Sequence, residues 1–144
     1  MIWLLRHGDA EREGDENARR LTERGEREAE VAGRALAALG IRIDITLSSP
    51  KARALDTARI VCAQLGIDHE PTDALGGGDF DAEELAGGRG EVLMVGHEPD
   101  FSRAIERTTG GRVEIKKGGL AGIEDRVLLT LLRPEQLAAI ARRD

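Results

Sequence analysis

Tyrosine is absent from this chain, and its aromatic residues are Trp3, Phe80 and Phe101 alone. Proteins that bind single strands of nucleic acid stack bases on aromatic platforms, which three scattered rings do not supply. An excess of cations is missing too. Lysine and arginine number 21 against 27 aspartates and glutamates, a formal net charge of −6. Nucleic-acid-binding domains carry a basic face, so no nucleic-acid partner is expected. Any anionic ligand must be drawn by a local cationic cluster on an acidic body. Cys62 is the single cysteine. That excludes an intrachain disulfide and is compatible with a reducing cytoplasm. Long apolar runs are lacking as well. Ile2 to Leu5 is too short for a signal-peptide core, and no run approaches the ~20 residues that span a bilayer. The expectation is a cytoplasmic protein with no membrane partner, its 144 residues forming one domain.

What is present is organised around the start of the chain. Four apolar residues, Ile2-Trp3-Leu4-Leu5, stop abruptly at Arg6, His7 and Gly8. A short apolar run bounded by polar residues and glycine reads as a buried strand. Ligand sites of open α/β sheets form just beyond the carboxyl ends of the strands. Such a strand delivers Arg6 and His7 to that rim. The bland alternative is that His7 merely ends a strand and hydrogen-bonds a carbonyl.

The same grammar returns later. Val92 to Val95 is a second compact apolar run, followed by Gly96, His97, Glu98 and Pro99. Two rim histidines after two strands are harder to dismiss than one. Between them, the charged segment 10–20 reads as a solvated loop, from which Arg19 could reach a bound anion. Thr22 suits a helix N-cap, and Ala29, Ala32, Leu36 and Leu39 make a core-facing stripe before Gly40. Residues 41–48 read as a strand. Ser49 is expected to cap the next helix with Pro50 in its first position. Arg53 falls in that helix's first turn, where free N–H groups favour an anion; an ion pair with Asp56 or another nearby carboxylate is the structural alternative. Cys62 belongs to the apolar stripe of this helix.

Residues 67–90 are less determined. They suggest a short strand near His69, itself a surface residue, and glycine loops around an acidic helix, Asp81 to Leu85. Val113 and Ile115 alternate with charged residues, so 112–116 is expected to be a strand. Residues 120–123 and 127–132 are expected to pair as a hairpin. Pro134 starts a last helix.

Arg6, His7, Arg53, His97 and Arg19 are therefore the rim groups. Two arginines can grip phosphoryl oxygens bidentately. A neutral imidazole can attack phosphorus, and a second one can donate to its oxygens. The residues alone do not say which histidine attacks.

The segment Leu5-Arg6-His7-Gly8-Asp9-Ala10 resembles the arginine-histidine-glycine motif of the histidine phosphatase superfamily, which also contains the phosphoglycerate mutases. The stretches Ser48 to Ala58 and Val95 to Pro99 resemble its second and third motifs. Arg19 to Gly25 resembles a segment of the small SixA-type phosphohistidine phosphatases. The resemblance implies a three-layer α/β/α sandwich around a largely parallel sheet. It implies that His7 is the nucleophile, that Arg6, Arg53 and His97 complete the phosphate pocket, and that no metal or other cofactor is required. It further implies a phosphorylated protein or a small phosphate ester as substrate.

The general acid is left open among Glu98, Asp79, Asp81 and Asp9. A phosphohistidine substrate lessens the need for one, since imidazole is a far better leaving group than an alkoxide. Two other readings stand beside this: a small-molecule phosphomonoesterase of the same superfamily, and a phosphate-binding module without turnover. Cysteine-phosphatase chemistry fails, because position 68, six after Cys62, is aspartate and not arginine. The zinc-protease helix motif fails because His97-Glu98 lacks its second histidine.

Overall fold

The computed structural model describes residues 1–142. Six strands form one sheet, in the spatial order β3-β2-β4-β1-β5-β6. The strands are β1 (Ile2–Arg6), β2 (Ile45–Ser48), β3 (Glu70–Pro71), β4 (Val92–Gly96), β5 (Leu120–Glu124) and β6 (Val127–Leu132). The helices are α1 (Glu23–Ala38), α2 (Ala52–Leu65), α3 (Ala82–Ala86), α4 (Asp100–Thr109) and α5 (Pro134–Ala141). Pairings β1–β4, β2–β4 and β2–β3 are parallel, whereas β1–β5 and β5–β6 are antiparallel. Only β5 runs against the other five strands. The sheet is thus mixed, with a parallel part that carries the rim and an antiparallel hairpin at one side.

The layers follow from the two-residue period of the central strands. Trp3, Leu5, Leu93 and Val95 face one way, into a core shared with Ala29, Ala32 and Leu36 of α1, Ala54, Ala58 and Val61 of α2, and Leu137 of α5. Leu4, Val92 and Met94 face the other way, against Phe101 and Ile105 of α4 and Ala82 and Ala86 of α3. Strands covered on both faces need apolar residues at every position, which is why β1 and β4 read as unbroken runs.

Caps explain the helix ends. Thr22 accepts from Gly25 N at the start of α1. Gly66 and Gly110 take left-handed conformations that close α2 and α4.

Three local expectations are corrected. Ser49 does not cap α2, whose N-cap is Lys51, and Pro50 lies before the helix. Ser49 N instead donates to Val95 O, so the chain is still bonded to β4 at this point. The strand expected over 41–48 is confined to Ile45–Ser48. Residues 112–116 form no strand. Ile115 N donates to a Glu98 carboxylate oxygen and Ile115 O accepts from Arg6 Nη1. Side chains from elsewhere thus take the backbone groups that a ladder would have used.

Candidate functional site

Register builds the site. Leu5 pairs with Val95 and Arg6 with Gly96 across β1 and β4, and Ser48 pairs with Val95 across β2 and β4. The next residues, His7, His97 and Ser49, therefore emerge side by side from three adjacent parallel strands. His7 N donates to Gly96 O at 3.0 Å, extending the ladder one step past the strands. The two imidazole rings stand 5.2 Å apart between centroids. Both histidines are buried.

Gly8 lets the chain turn away beneath α1. A Cβ at Gly25 would lie 2.0 Å from Asp9 O, and one at Gly8 would lie 2.6 Å from Gly25 O. Two glycines are thus required for the start of α1 to lie against the histidine loop. Thr57 fastens the other side, accepting from Gly8 N and donating to Arg53 O.

The geometry fixes the protonation of His7. Its Nδ1 lies 2.7 Å from Gly8 O. A carbonyl only accepts, so Nδ1 carries the hydrogen and Nε2 keeps its lone pair. Nε2 has no hydrogen-bond partner among the described residues. The carbonyl contact of the bland reading is therefore present, and its effect is to orient the ring. Burial, more than the neighbouring Arg53 and Arg6, lowers the His7 pKa to about 4. Burial, then the charges of His7 and Arg53, lower that of His97 to about 3. Both rings are neutral at pH 7. His97 Nε2 lies 2.7 Å from Ser49 Oγ, and its Nδ1 is buried without a partner among the described residues.

Arg6, His7, Arg19, Arg53, His97 and Glu98 all line one open cleft of about 350 Å³, together with Lys51, Lys117 and Asp100. Arg53 is buried despite its charge. Its Nη1 donates to Glu16 O at 2.6 Å and its Nη2 lies 3.5 Å from the Glu16 carboxylate, which also pairs with Lys51. Asp56 is instead held by Arg20. Burial and nearby Arg19 lower the Arg53 pKa. The Glu16 carboxylate opposes both. Arg6 donates Nη1 to Ile115 O, and its Nε is buried without a partner among the described residues.

The proposed acids are dispersed. Glu98 lines the cleft, but its oxygens accept from Ser102 N at 2.7 Å and Ile115 N at 3.1 Å. Asp79 pairs with Arg107, and Asp81 caps α3. Both line a different cleft, together with Phe80 and Leu85. Asp9 accepts from Thr22 Oγ1, which, with Lys117, lowers its pKa; it lines the adjoining basic cleft. Sequence reasoning missed Glu16, Lys51 and Ser49 as cleft neighbours, because their roles come from contacts across the fold. Among the described residues no three histidines, cysteines or carboxylates gather in a set able to hold a metal ion.

Comparison with known proteins follows the same lines. The sequence model of the histidine phosphatase superfamily (branch 1) matches residues 2–89. The mitochondrial serine/threonine-protein phosphatase Pgam5 of Drosophila melanogaster is 39% identical over 70 residues, 48% of this chain and 24% of that protein. The SixA protein of Agrobacterium tumefaciens superposes with a TM-score of 0.79 at 27% identity, covering 92% of this chain and 97% of that one. A protein histidine phosphatase SixA complexed with tungstate gives a TM-score of 0.82 at 21% identity, covering 94% and 98%. That last likeness is one of fold.

Proposed function

The chain belongs to the histidine phosphatase superfamily, branch 1, and from that premise we propose that it hydrolyses a phosphoryl group from phosphohistidine on a protein. The observation that carries this reading is the state of the cleft: a nucleophile with a free lone pair, two guanidinium groups, and the carboxylates of Glu16 and Glu98 already committed elsewhere. His7 Nε2 is the nucleophile. Arg6 and Arg53 hold the equatorial oxygens, with His97 on the opposite side.

Hydrolysis proceeds in two in-line displacements. In the first, the Nε2 lone pair forms a bond to phosphorus while the bond from phosphorus to the substrate imidazole breaks. The substrate ring, protonated by solvent on its other nitrogen, leaves as neutral imidazole, and its departing nitrogen keeps that electron pair. In the second, water attacks phosphorus, the bond to Nε2 breaks, and a proton passes to solvent. Neutral His7 and inorganic phosphate result. A covalent intermediate divides one difficult transfer into two.

The leaving group decides the substrate class. An alkoxide must be protonated as it departs, which calls for a carboxylic acid near the cleft. Glu98 has both oxygens occupied by backbone N–H groups, and Glu16 is held ionised chiefly by Lys51. Imidazole, with a reference pKa near ~6.5, leaves without such help. The cleft is open and lies beside a basic one of about 590 Å³, which suits a phosphoryl group presented on a protein surface.

The test is competition between substrate classes. A protein carrying phosphohistidine is expected to turn over with kcat/KM at least about 100-fold above phosphoserine peptides and sugar phosphates, a gap of ~2.7 kcal/mol. Equal or better turnover of the esters would reassign the chain as a phosphomonoesterase. Phosphate binding with no turnover of any of them would make it a binding module. Asp100, the remaining carboxylate of the lining, is checked in the same assay. Asp100→Asn is expected to leave phosphohistidine turnover within about 3-fold, that is within ~0.7 kcal/mol of barrier.

A further inference from the structure

We propose that Ser49 is a positioning residue that holds His97 in the tautomer with its hydrogen on Nδ1, so that Nδ1–H donates to a phosphoryl oxygen. This rests on the reading of the cleft as a phosphoryl site. The argument is one of hydrogen-bond polarity at a fully buried hydroxyl. Ser49 is held by its backbone, since Ser49 N donates to Val95 O at 2.9 Å. Its Oγ accepts from Lys51 N at 3.1 Å and lies 2.7 Å from His97 Nε2. No other partner of this oxygen exists among the described residues.

A hydroxyl has one hydrogen and two lone pairs. Lys51 N–H occupies one lone pair. Two arrangements remain. If His97 Nε2 carried the hydrogen, it would donate to Oγ, and the serine hydrogen would be left buried with no acceptor. Nδ1 would then turn a lone pair toward the oxygens of an anion. If instead the serine hydrogen is donated to Nε2, every group in the chain of bonds is satisfied except Nδ1–H. That atom is buried without a partner, a rare condition in native proteins. A phosphoryl oxygen between the rings supplies the missing acceptor. His97 is neutral at pH 7, so its donor capacity comes from the tautomer and not from a positive charge.

The two histidines then carry their hydrogens on the same atom with opposite consequences. At His7, Gly8 O takes the Nδ1 hydrogen and Nε2 faces the cleft as a lone pair. At His97, Ser49 takes the Nε2 lone pair and the Nδ1 hydrogen is the free group. No lone pair of His97 remains to attack phosphorus, which answers the choice that the sequence leaves open.

Ring nitrogen-15 NMR of the full chain at neutral pH, without ligand, tests this directly. The His97 signals, assigned by comparison with His97→Asn, are expected to show a protonated Nδ1 and a lone-pair Nε2. A protonated Nε2 in the unmodified protein overturns the proposal, and this reading needs no variant of Ser49. In Ser49→Ala, His97 is expected to move toward the Nε2–H form while His7 keeps its signature. The kcat for phosphohistidine is expected to fall by about 10-fold or more, as when a group that fixes a ring's tautomer is lost. Ser49→Thr, which keeps the hydroxyl, is expected to recover both the tautomer and most of the rate. An unchanged tautomer in Ser49→Ala contradicts the assignment. Failure of the chain to turn over any phosphorylated compound would remove the phosphatase reading while leaving the spectrum as predicted.

Discussion

Arg53 is already engaged before any substrate arrives. Its guanidinium meets the carbonyl and carboxylate of Glu16, and Lys51 holds the same carboxylate. An entering phosphoryl group competes with that carboxylate for both cations. Glu16→Gln removes the competing charge while keeping the carbonyl contact. Tungstate or inorganic phosphate is therefore expected to bind about 2- to 5-fold more tightly, the modest effect of an exposed ion pair; weaker binding in a titration would contradict the competition. The histidines give a second prediction at this scale. Unfolded, each takes a proton near ~6.5; folded, His7 does so at about 4 and His97 at about 3. Across that interval the unfolded chain binds more protons than the folded one. Stability is present above about pH 6.5 and is lost as pH falls toward 4. Thermal unfolding should show Tm declining in that window, less steeply in His97→Asn. The same low pKa keeps His7 unprotonated in weak acid, so the acid limb of kcat/KM should lie below pH 6.5.

Among the elements, the segment 112–116 shows how the cleft depends on a piece of chain with no regular structure. Glu98, at the end of the β4 loop, accepts from Ile115 N, and Ile115 O accepts from Arg6. Arg6, proposed to hold the phosphoryl group, is thereby aimed by a strap that a carboxylate holds down. Glu98→Ala is expected to cost on the order of 2–3 kcal/mol from two lost charge-assisted bonds, to lower Tm, and to raise KM more than it lowers kcat. A drop in kcat alone for phosphate esters, with Tm unchanged, would instead mark Glu98 as an acid. This strap was not legible in the sequence. Val113 and Ile115 alternate as in a strand, and the partners that override the pattern sit 17 and 109 positions away along the chain. Ser49 misled in a similar way. A serine before proline suits a helix cap, yet β4 holds its backbone and His97 its hydroxyl. By contrast β1 and β4 were legible, because burial on both faces forces unbroken apolar runs. So was α1, with Thr22 at its start and Ala29, Ala32 and Leu36 facing inward, although Leu39, expected in the same stripe, lies at the C-cap and is exposed. Arg6, His7, Arg53 and His97 could be gathered from the sequence because each closes, directly follows or opens a recognisable element.

At the scale of the whole molecule, the parallel part of the sheet acts as an alignment device. Strands β2, β4 and β1 end at one level, so Ser49, His97 and His7 arrive together without any long loop to position them. The body is acidic, but the cleft gathers Arg6, Arg19, Lys51, Arg53 and Lys117 at that edge. Beyond a Debye length of ~10 Å at 0.1 M salt the remote carboxylates are screened, and the local cations set the field an anion meets. The edge strand β6, two strands from β1, leaves Val127, Leu129 and Leu131 exposed. Leu129→Lys is expected to leave turnover unchanged. In the proposed mechanism, what the fold must deliver is one imidazole nitrogen to one phosphorus atom. Brief exposure to a phosphorus-32-labelled phosphohistidine protein, quenching in alkali and peptide mapping tests that most directly. Label that is alkali-stable, acid-labile and carried by His7 is the predicted result. Label on His97, or wild-type turnover in His7→Ala, would contradict it.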